Sequence, residues 1–444
     1  MVGSREGPLT VSLATLRADL GHIVAAAIAG ANAGLLLNRA LARGIFADTP
    51  ALPTRVLAVG KAALPMARAF AAAVPGPGLR GLIVTPRIAE AAPPGFDAML
   101  SAHPVPDERS VRAGRAALGA AHAIGSGERF VVLLSGGASA LMTVPAPGVS
   151  LEAKREVTRR LLRADADIHA VNCVRKHLSD VKGGRLAAAC AGRTVTLAIS
   201  DVAGDDPSVI GSGPTVADPT TFLHALVVID ACGGRGVFPR NAIAWLERGA
   251  AGDGPETPKP GAASLTRSIV HVIGSGADAR AAAVDAAQRL GYRVIGTDRA
   301  IVGEASVRGV EHASWLAALA RDHSDALCVV SGGETTVRVR GSGTGGRNQE
   351  FALAAVPGLA TIGRAAALAS VGTDGVDGPT DAAGAIADSS SAARARASGA
   401  DPMRYLEAND AWAFFERLGD LVRTGATDTN VGDVQVALLG AADD

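Results

Sequence analysis

One short phrase recurs along the chain and limits its fold more than any other feature: an apolar run breaks into Gly and Ser, and a helical stretch follows. Residues 54–59 run into Gly60-Lys61, 130–134 into Ser135-Gly136-Gly137, 194–200 into Asp201, and 269–273 into Gly274-Ser275-Gly276. Residues 327–330 and 366–371 end in further Gly-rich turns. Strands alternating with helices predict an α/β fold, a mostly parallel sheet covered by helices on both faces. In such sheets ligands gather where the strand ends open into turns. Composition agrees, since glycine makes up 54 of 444 residues and aromatics only 3%, favouring tight backbone turns over stacking platforms.

A chain this long exceeds one core, and a stretch of Gly, Pro and small polar residues divides it at 249–264. That predicts an N-terminal Rossmann-like domain over 1–248, a linker over 249–264 and a C-terminal α/β domain over 265–444. Residues 9–45 read as helical, and 269–297 read as the βαβ unit that opens the second domain.

Lys+Arg and Asp+Glu both number 43, so no global field draws in nucleic acid or an anionic membrane. Small molecules are the expected partners. The four cysteines form no CxxC pair and the histidines no HExxH, which disfavours a disulfide framework and zinc catalysis. Residues 1–5 lack a basic leader, and the apolar stretch 23–37 is too short to span a bilayer, so a cytoplasmic, soluble protein is expected. Whether it is a monomer or a homodimer stays open. Only five basic residues are lysines, against 38 arginines, so lysine placement carries information.

Several turns carry chemistry. Ser135-Gly136-Gly137-Ala138-Ser139 exposes successive amides almost without side-chain cover, which suits phosphate or carboxylate oxygens. Gly345-Gly346-Arg347-Asn348 opens a helix with a permanent cation at the positive end of its dipole, a placement that calls for an anion. Asp201, Asp205 and Asp206 crowd one strand end, and Asp374, Asp377 and Asp381 another; hard oxygens without nearby His or Cys suit Mg²⁺. The segment 172–185 concentrates cations, and on a helix Asn172, Arg175, Lys176 and Ser179 share one face that can meet an anionic substrate. Lys61 sits at a strand-to-helix turn, where an ammonium reaches a phosphate. His103 reads as an ordered loop residue. A rival signal is Gly274-Ser275-Gly276-Ala277-Asp278-Ala279 with Asp298 22 residues beyond Gly276, which fits a dinucleotide fingerprint.

Taken together, Val59-Gly60-Lys61-Ala62-Ala63, Ser135-Gly136-Gly137-Ala138-Ser139-Ala140-Leu141, the segments 172–186 and 200–207, Gly211-Ser212-Gly213-Pro214-Thr215, the segment 331–336, Gly345-Gly346-Arg347-Asn348-Gln349-Glu350 and the segment 372–384 resemble the type-2 glycerate kinases. This is the MOFRL family, whose members are often labelled hydroxypyruvate reductase. The resemblance runs from about residue 55 to 435, with Ala426 standing where the pattern usually has Pro. It implies two dissimilar α/β domains, the second a mixed-sheet MOFRL domain, with the active site in the cleft between them. It also implies transfer of a phosphoryl group from ATP, with Mg²⁺, to the 2-hydroxyl of D-glycerate. On that expectation Lys61, Asp201, Arg347 and Asp374 are the catalytic candidates. Ser135, Gly136, Gly137, Ser139, Gly345, Gly346, Asn348 and Lys176 would bind the nucleotide or substrate, and Asp201, Asp205 and Asp377 the metal. One of the aspartates, Asp381 included, would orient the attacking hydroxyl. An NAD(P)H-dependent hydroxypyruvate reductase is the alternative enzyme, and a sugar-phosphate-sensing module the non-enzymatic one.

Overall fold

The computed structural model describes residues 12–46, 52–74, 78–296 and 300–442. The chain forms two compact units, 33–274 and a second made of 1–32 with 275–444.

In unit 33–274 six strands form one sheet: β1 (Thr54–Val59), β2 (Arg80–Thr85), β3 (Phe96–Leu100), β4 (Arg129–Leu134), β5 (Arg193–Ile199) and β6 (Ser268–Gly274). Their order is β3-β2-β1-β4-β5-β6, and every pairing is parallel. The central strands are apolar along nearly their whole length because a parallel sheet is covered on both faces. All six residues of β4 are buried. Leu57, Val59, Val132 and Leu134 pack against Ala113, Ala117 and Ala121 of the helix Glu108–His122. That helix starts at Asp107 through a capping box with Ser110. The helices Leu151–Arg163 and Ile168–His177 pack with Phe222, Trp245 and Leu246 into a separate core.

The second unit holds a mixed sheet of β7 (Arg293–Gly296), β8 (Ile301–Glu304), β9 (Leu327–Thr336), β10 (Ala366–Gly372), β11 (Gly384–Asp388), β12 (Leu421–Val422) and β13 (Asp433–Leu439). The order is β12-β11-β10-β13-β9-β7, with β8 also on β9; β7 and β8 run parallel to β9 and the other pairs are antiparallel. The helix Arg347–Leu359 fills the core with Phe351, Leu353, Val356 and Leu359.

Two boundaries differ from the expectation. Residues 249–264 are no linker between units, because β6 beyond them pairs with β5 and completes the first sheet. The division falls at Gly274-Ser275 instead. The helical N-terminal stretch also breaks, into Leu13–Gly30 and Ala33–Ala42, and the two helices belong to different units. By length and composition Leu13–Gly30 passes the test for a membrane-spanning helix. It nonetheless buries Leu16, Leu20, Ile23, Val24 and Ala27, and its Arg17 pairs with the buried Asp388 and Asp420 of its own unit.

The dinucleotide fingerprint dissolves for the same reason. The strand before its glycines, β6, lies in one sheet, and β7 after its helix lies in the other. Asp298 falls outside the described residues.

Candidate active site

In unit 33–274 the strand order reverses direction between β1 and β4, a topological switch point, and open parallel sheets bind ligands beyond the strand ends there. Lys61 follows β1 and the bend 135–139 follows β4, on the same sheet edge as Asp201 after β5. The two central turns are locked together by backbone. Lys61 N–H donates to the Gly136 carbonyl at 2.9 Å, and Ala62 N–H donates to Ser135 Oγ at 3.0 Å. Gly60 permits that approach, since a Cβ there would lie 2.1 Å from Ser135 Oγ at a φ of +132°. Gly137, with φ at +85°, has the His103 ring and the Lys61 stem beside its open face.

A cavity of about 500 Å³ opens beside this bend, lined by Gly137, Ser139, His103, Lys154, Arg175 and Lys182 among others. Arg155 and Arg159 add two more cations, and among the described residues no carboxylate lines it. Lys154 is 5% exposed, and its Nζ donates to the carbonyls of Leu178 at 2.8 Å and Arg175 at 3.3 Å. Burial, with the Arg175 charge beside it, outweighs the nearby Asp180 carboxylate and pulls Lys154 down to about 7. Burial also lowers Arg175. Lys182 donates from Nζ to the carbonyl and hydroxyl oxygens of Ser139, at 2.7 and 2.9 Å. Buried cations normally sit against carboxylates. Here neutral carbonyl and hydroxyl oxygens hold them, which leaves the cavity suited to an anion.

Of the residues expected on one face of the helix Ile168–His177, the structure keeps Asn172 and Arg175 on this side and turns Lys176 away. The Lys176 ammonium is buried 3.4 Å from Asp218 Oδ1, so it binds no ligand in this arrangement. Ser179 lies past the helix end and bonds to the Val144 carbonyl. Beside Lys176, His177 bridges the Cys173 carbonyl at 2.7 Å and Glu256 Oε1 at 2.9 Å. That bridge ties the helix to the 255–259 segment. Burial alone would lower His177, but those two bonds and Asp218 outweigh it and raise the imidazole to about 9. Burial would likewise raise Glu256, yet His177 and the amides of Thr257 and Phe222 draw it to about 2.

The imidazolium contribution is thus complete below the unfolded value of 6.5 and is lost as pH rises through about 9. The carboxylate contribution is present above the ordinary value of 4.5 and is lost as pH falls towards about 2. Glu256→Gln is expected to cost about 2 kcal/mol at neutral pH, below the ~3–5 kcal/mol of a fully buried pair because Glu256 is partly exposed. Urea unfolding checks this: the gap between wild type and variant should shrink above the His177 transition, and a gap independent of pH would refute the pairing.

Asp201 and Asp205 are half-buried on the bend after β5, Asp205 with φ at +54°. Their neighbour Asp206 is spent on the amide and hydroxyl of Ser208. Among the described residues no grouping of three His, Cys, Asp or Glu could hold a metal ion.

The second unit answers the Gly345-Gly346-Arg347 expectation differently. Asp377 Oδ1 accepts from Asn348 N–H at 3.1 Å and Oδ2 from Gln349 N–H at 2.8 Å, so Asp377 caps the helix Arg347–Leu359 from outside. Gly346 permits this, because a Cβ there would lie 2.3 Å from Asp377 Cγ. Asp377 is therefore a helix cap and no metal ligand. Burial, only partly offset by those amides, pushes its carboxyl up to about 7. Asn348 is interior, with its side-chain oxygen accepting from Ser370 Oγ at 2.7 Å. The anion that Arg347 calls for is supplied by the chain itself. Asp433 takes Nε at 2.7 Å and Nη2 at 2.9 Å in a two-pronged pair, and Glu334 takes Nη1 at 2.7 Å. Asp374 is half-buried, with Oδ1 accepting from Val376 N–H. Asp381 is engaged by Trp412 Nε1 and Arg423. Sequence reasoning missed Asp433 and Glu334. It also missed Lys154 and Lys182 as a pair, although the scarcity of lysine pointed to both.

Residues 19–247 match a family model described as a domain of unknown function, DUF4147, and residues 327–433 match the MOFRL family. A protein of Agrobacterium vitis whose name carries the words hydroxypyruvate reductase is 41% identical, over 87% of this chain and 87% of its own. The D-glycerate 2-kinase of Thermotoga maritima is 38% identical over 86% of this chain and 90% of its own. The crystal structure of glycerate kinase from Thermotoga maritima superimposes with a TM-score of 0.83 at 34% identity, covering 96% of this chain and all of that one. With both family models matched in order and full-length relatives aligned over most of the sequence, the chain belongs to the MOFRL, or type-2 glycerate kinase, family.

Proposed function

We propose that the chain is a glycerate 2-kinase, transferring the γ-phosphoryl group of ATP to the 2-hydroxyl of D-glycerate to give 2-phosphoglycerate and ADP. What carries this reading within the family is the cavity beside the turn after β4, lined by Lys154, Arg155, Arg159, Arg175 and Lys182 with no carboxylate among the described residues that line it. Both substrates are anions, and phosphoryl transfer leaves a protein mainly the tasks of placing them and neutralising charge on the equatorial oxygens. A hydride-transfer enzyme has less need of such a cavity.

Lys61 and the 135–139 bend would hold phosphate or carboxylate oxygens, and Lys154 and Arg175 would balance their charge. Lys61 and Asp201 are the proposed catalytic groups of the first unit. Magnesium takes one or two carboxylates, keeps several waters and leans on substrate phosphate. Asp201 and Asp205, half-buried on one bend, are the carboxylates that would hold the ion, which would neutralise phosphoryl charge when bound. A reaction drawing on ATP and a small acid suits the cytoplasm.

Purified protein given ATP, Mg²⁺ and D-glycerate is expected to release ADP only when glycerate is present. Given NADPH and hydroxypyruvate, it should leave the nicotinamide absorbance unchanged. Nicotinamide turnover without ADP release would replace this reading with the reductase one.

A further inference from the structure

We propose that Lys182 is the proton acceptor of the reaction: its Nζ, anchored on Ser139, takes the proton of the acceptor 2-hydroxyl as that oxygen attacks phosphorus. The proposal rests on the kinase reading above.

The hydrogen bonds around Ser139 fix which atom gives and which receives. Ser212 Oγ donates to Asn172 Oδ1 at 2.9 Å, which commits its single hydrogen. Across the 2.9 Å between the Ser139 and Ser212 hydroxyls, Ser139 is therefore the donor. Ser139 Oγ is left to accept from Lys182, as does the Ser139 carbonyl. Two of the three outward positions on Nζ are thus hydrogens spent on Ser139. A neutral amine meets both bonds with its two hydrogens and keeps a lone pair, and Lys182 lines the cavity.

The surroundings favour that neutral form. Lys182 is 2% exposed. The charged groups facing it are Lys154 from the helix Leu151–Arg163 and Arg175 from the helix Ile168–His177, with Arg155, Arg159 and His103 around the same cavity. Burial, then Lys154, then Arg175 press it well below the usual lysine value. Lys176, six residues earlier, has Asp218 as a partner; Lys182 has no carboxylate among the cavity's lining residues. Other candidate bases are engaged, Asp377 by helix amides and Asp381 by Trp412 and Arg423. Arrival of anionic substrates makes Nζ more basic, so it gains affinity for a proton as the hydroxyl is about to release one.

The step balances. The O2–H bond of glycerate breaks and its proton lands on the Nζ lone pair. The O2 electron pair forms the bond to the γ-phosphorus, and the bond from that phosphorus to the bridging oxygen breaks with its pair leaving on ADP. The ammonium returns its proton to water after product release.

Lys182→Arg decides the matter, because arginine keeps N–H donors for the Ser139 oxygens and cannot act as a base near neutral pH. Wild-type kcat should rise with pH along an acid limb. The variant should keep KM for ATP and glycerate within about threefold, lose at least about 10²-fold in kcat, and lack the limb. A variant that keeps kcat within about threefold, or retains the limb, overturns the proposal, and a retained limb moves the role to a carboxylate such as Asp201. Wild type that releases no ADP with glycerate overturns the kinase reading instead, a separate result. Should thermal melting show the variant unfolded, Ser139→Ala takes its place. Losing an acceptor that favours the ammonium should move the wild-type limb to lower pH, and an unmoved limb overturns the assignment.

Discussion

Arg347→Ala is expected to destabilise the protein by about 3–5 kcal/mol, a large part of the ~5–15 kcal/mol that holds a typical domain together. The cause lies in what remains. The Asp433 side chain is fully buried, with both oxygens taken by the Arg347 fork, so deletion strands a carboxylate without water or a countercharge. Burial already raises the Asp433 carboxyl despite its partner, so without Arg347 it should bind a proton and the deficit should narrow in acid. Arg347→Lys keeps the charge but loses the planar two-pronged geometry, and should fall between the two. The double variant Arg347→Met with Asp433→Leu should be more stable than Arg347→Ala alone, since replacing both members of a buried pair by apolar groups removes the desolvated charge. Denaturant midpoints measured for these proteins check the series. A wild-type midpoint in Arg347→Ala would show that the pair contributes nothing to the fold.

The same pair shows what could be read from the sequence and what could not. An arginine in the first turn of a helix is a local anomaly that a nearby anion relieves. The identity of that anion depends on β13 lying beside β9 and β10, a pairing that brings position 433 against position 347 across 86 residues. Asp377 is a similar case, a turn residue by its neighbours and a helix cap by its fold. Strand-to-turn phrases were legible because each is a local pattern with a local cause. The sheet that residues 268–274 join was not, because β6 and the glycines after it look the same whether the next strand pairs with them or not. Lys154 and Lys182 left one trace, their rarity, but only the packing of two helices against the 135–139 bend makes them a pair.

Lys61→Ala is expected to lower kcat with ATP and glycerate by on the order of 10³-fold while lowering the unfolding free energy by no more than about 1 kcal/mol. The two halves of that expectation have separate origins. Structurally, position 61 holds the central turns together through its backbone N–H to the Gly136 carbonyl, a bond that alanine makes equally well. The glycine before it carries the steric demand, and it is untouched. Chemically, the ammonium at the switch point is what alanine removes, and a cation that stabilises charge on a transferring phosphoryl group acts on the transition state, so the loss should appear in kcat more than in KM. Lys61→Arg restores the charge on a larger, planar head, and should recover part of the rate. If Lys61→Ala turns over like wild type, the phosphoryl group lies elsewhere on this sheet edge; if it unfolds early, the side chain has a structural duty that the backbone bond does not cover.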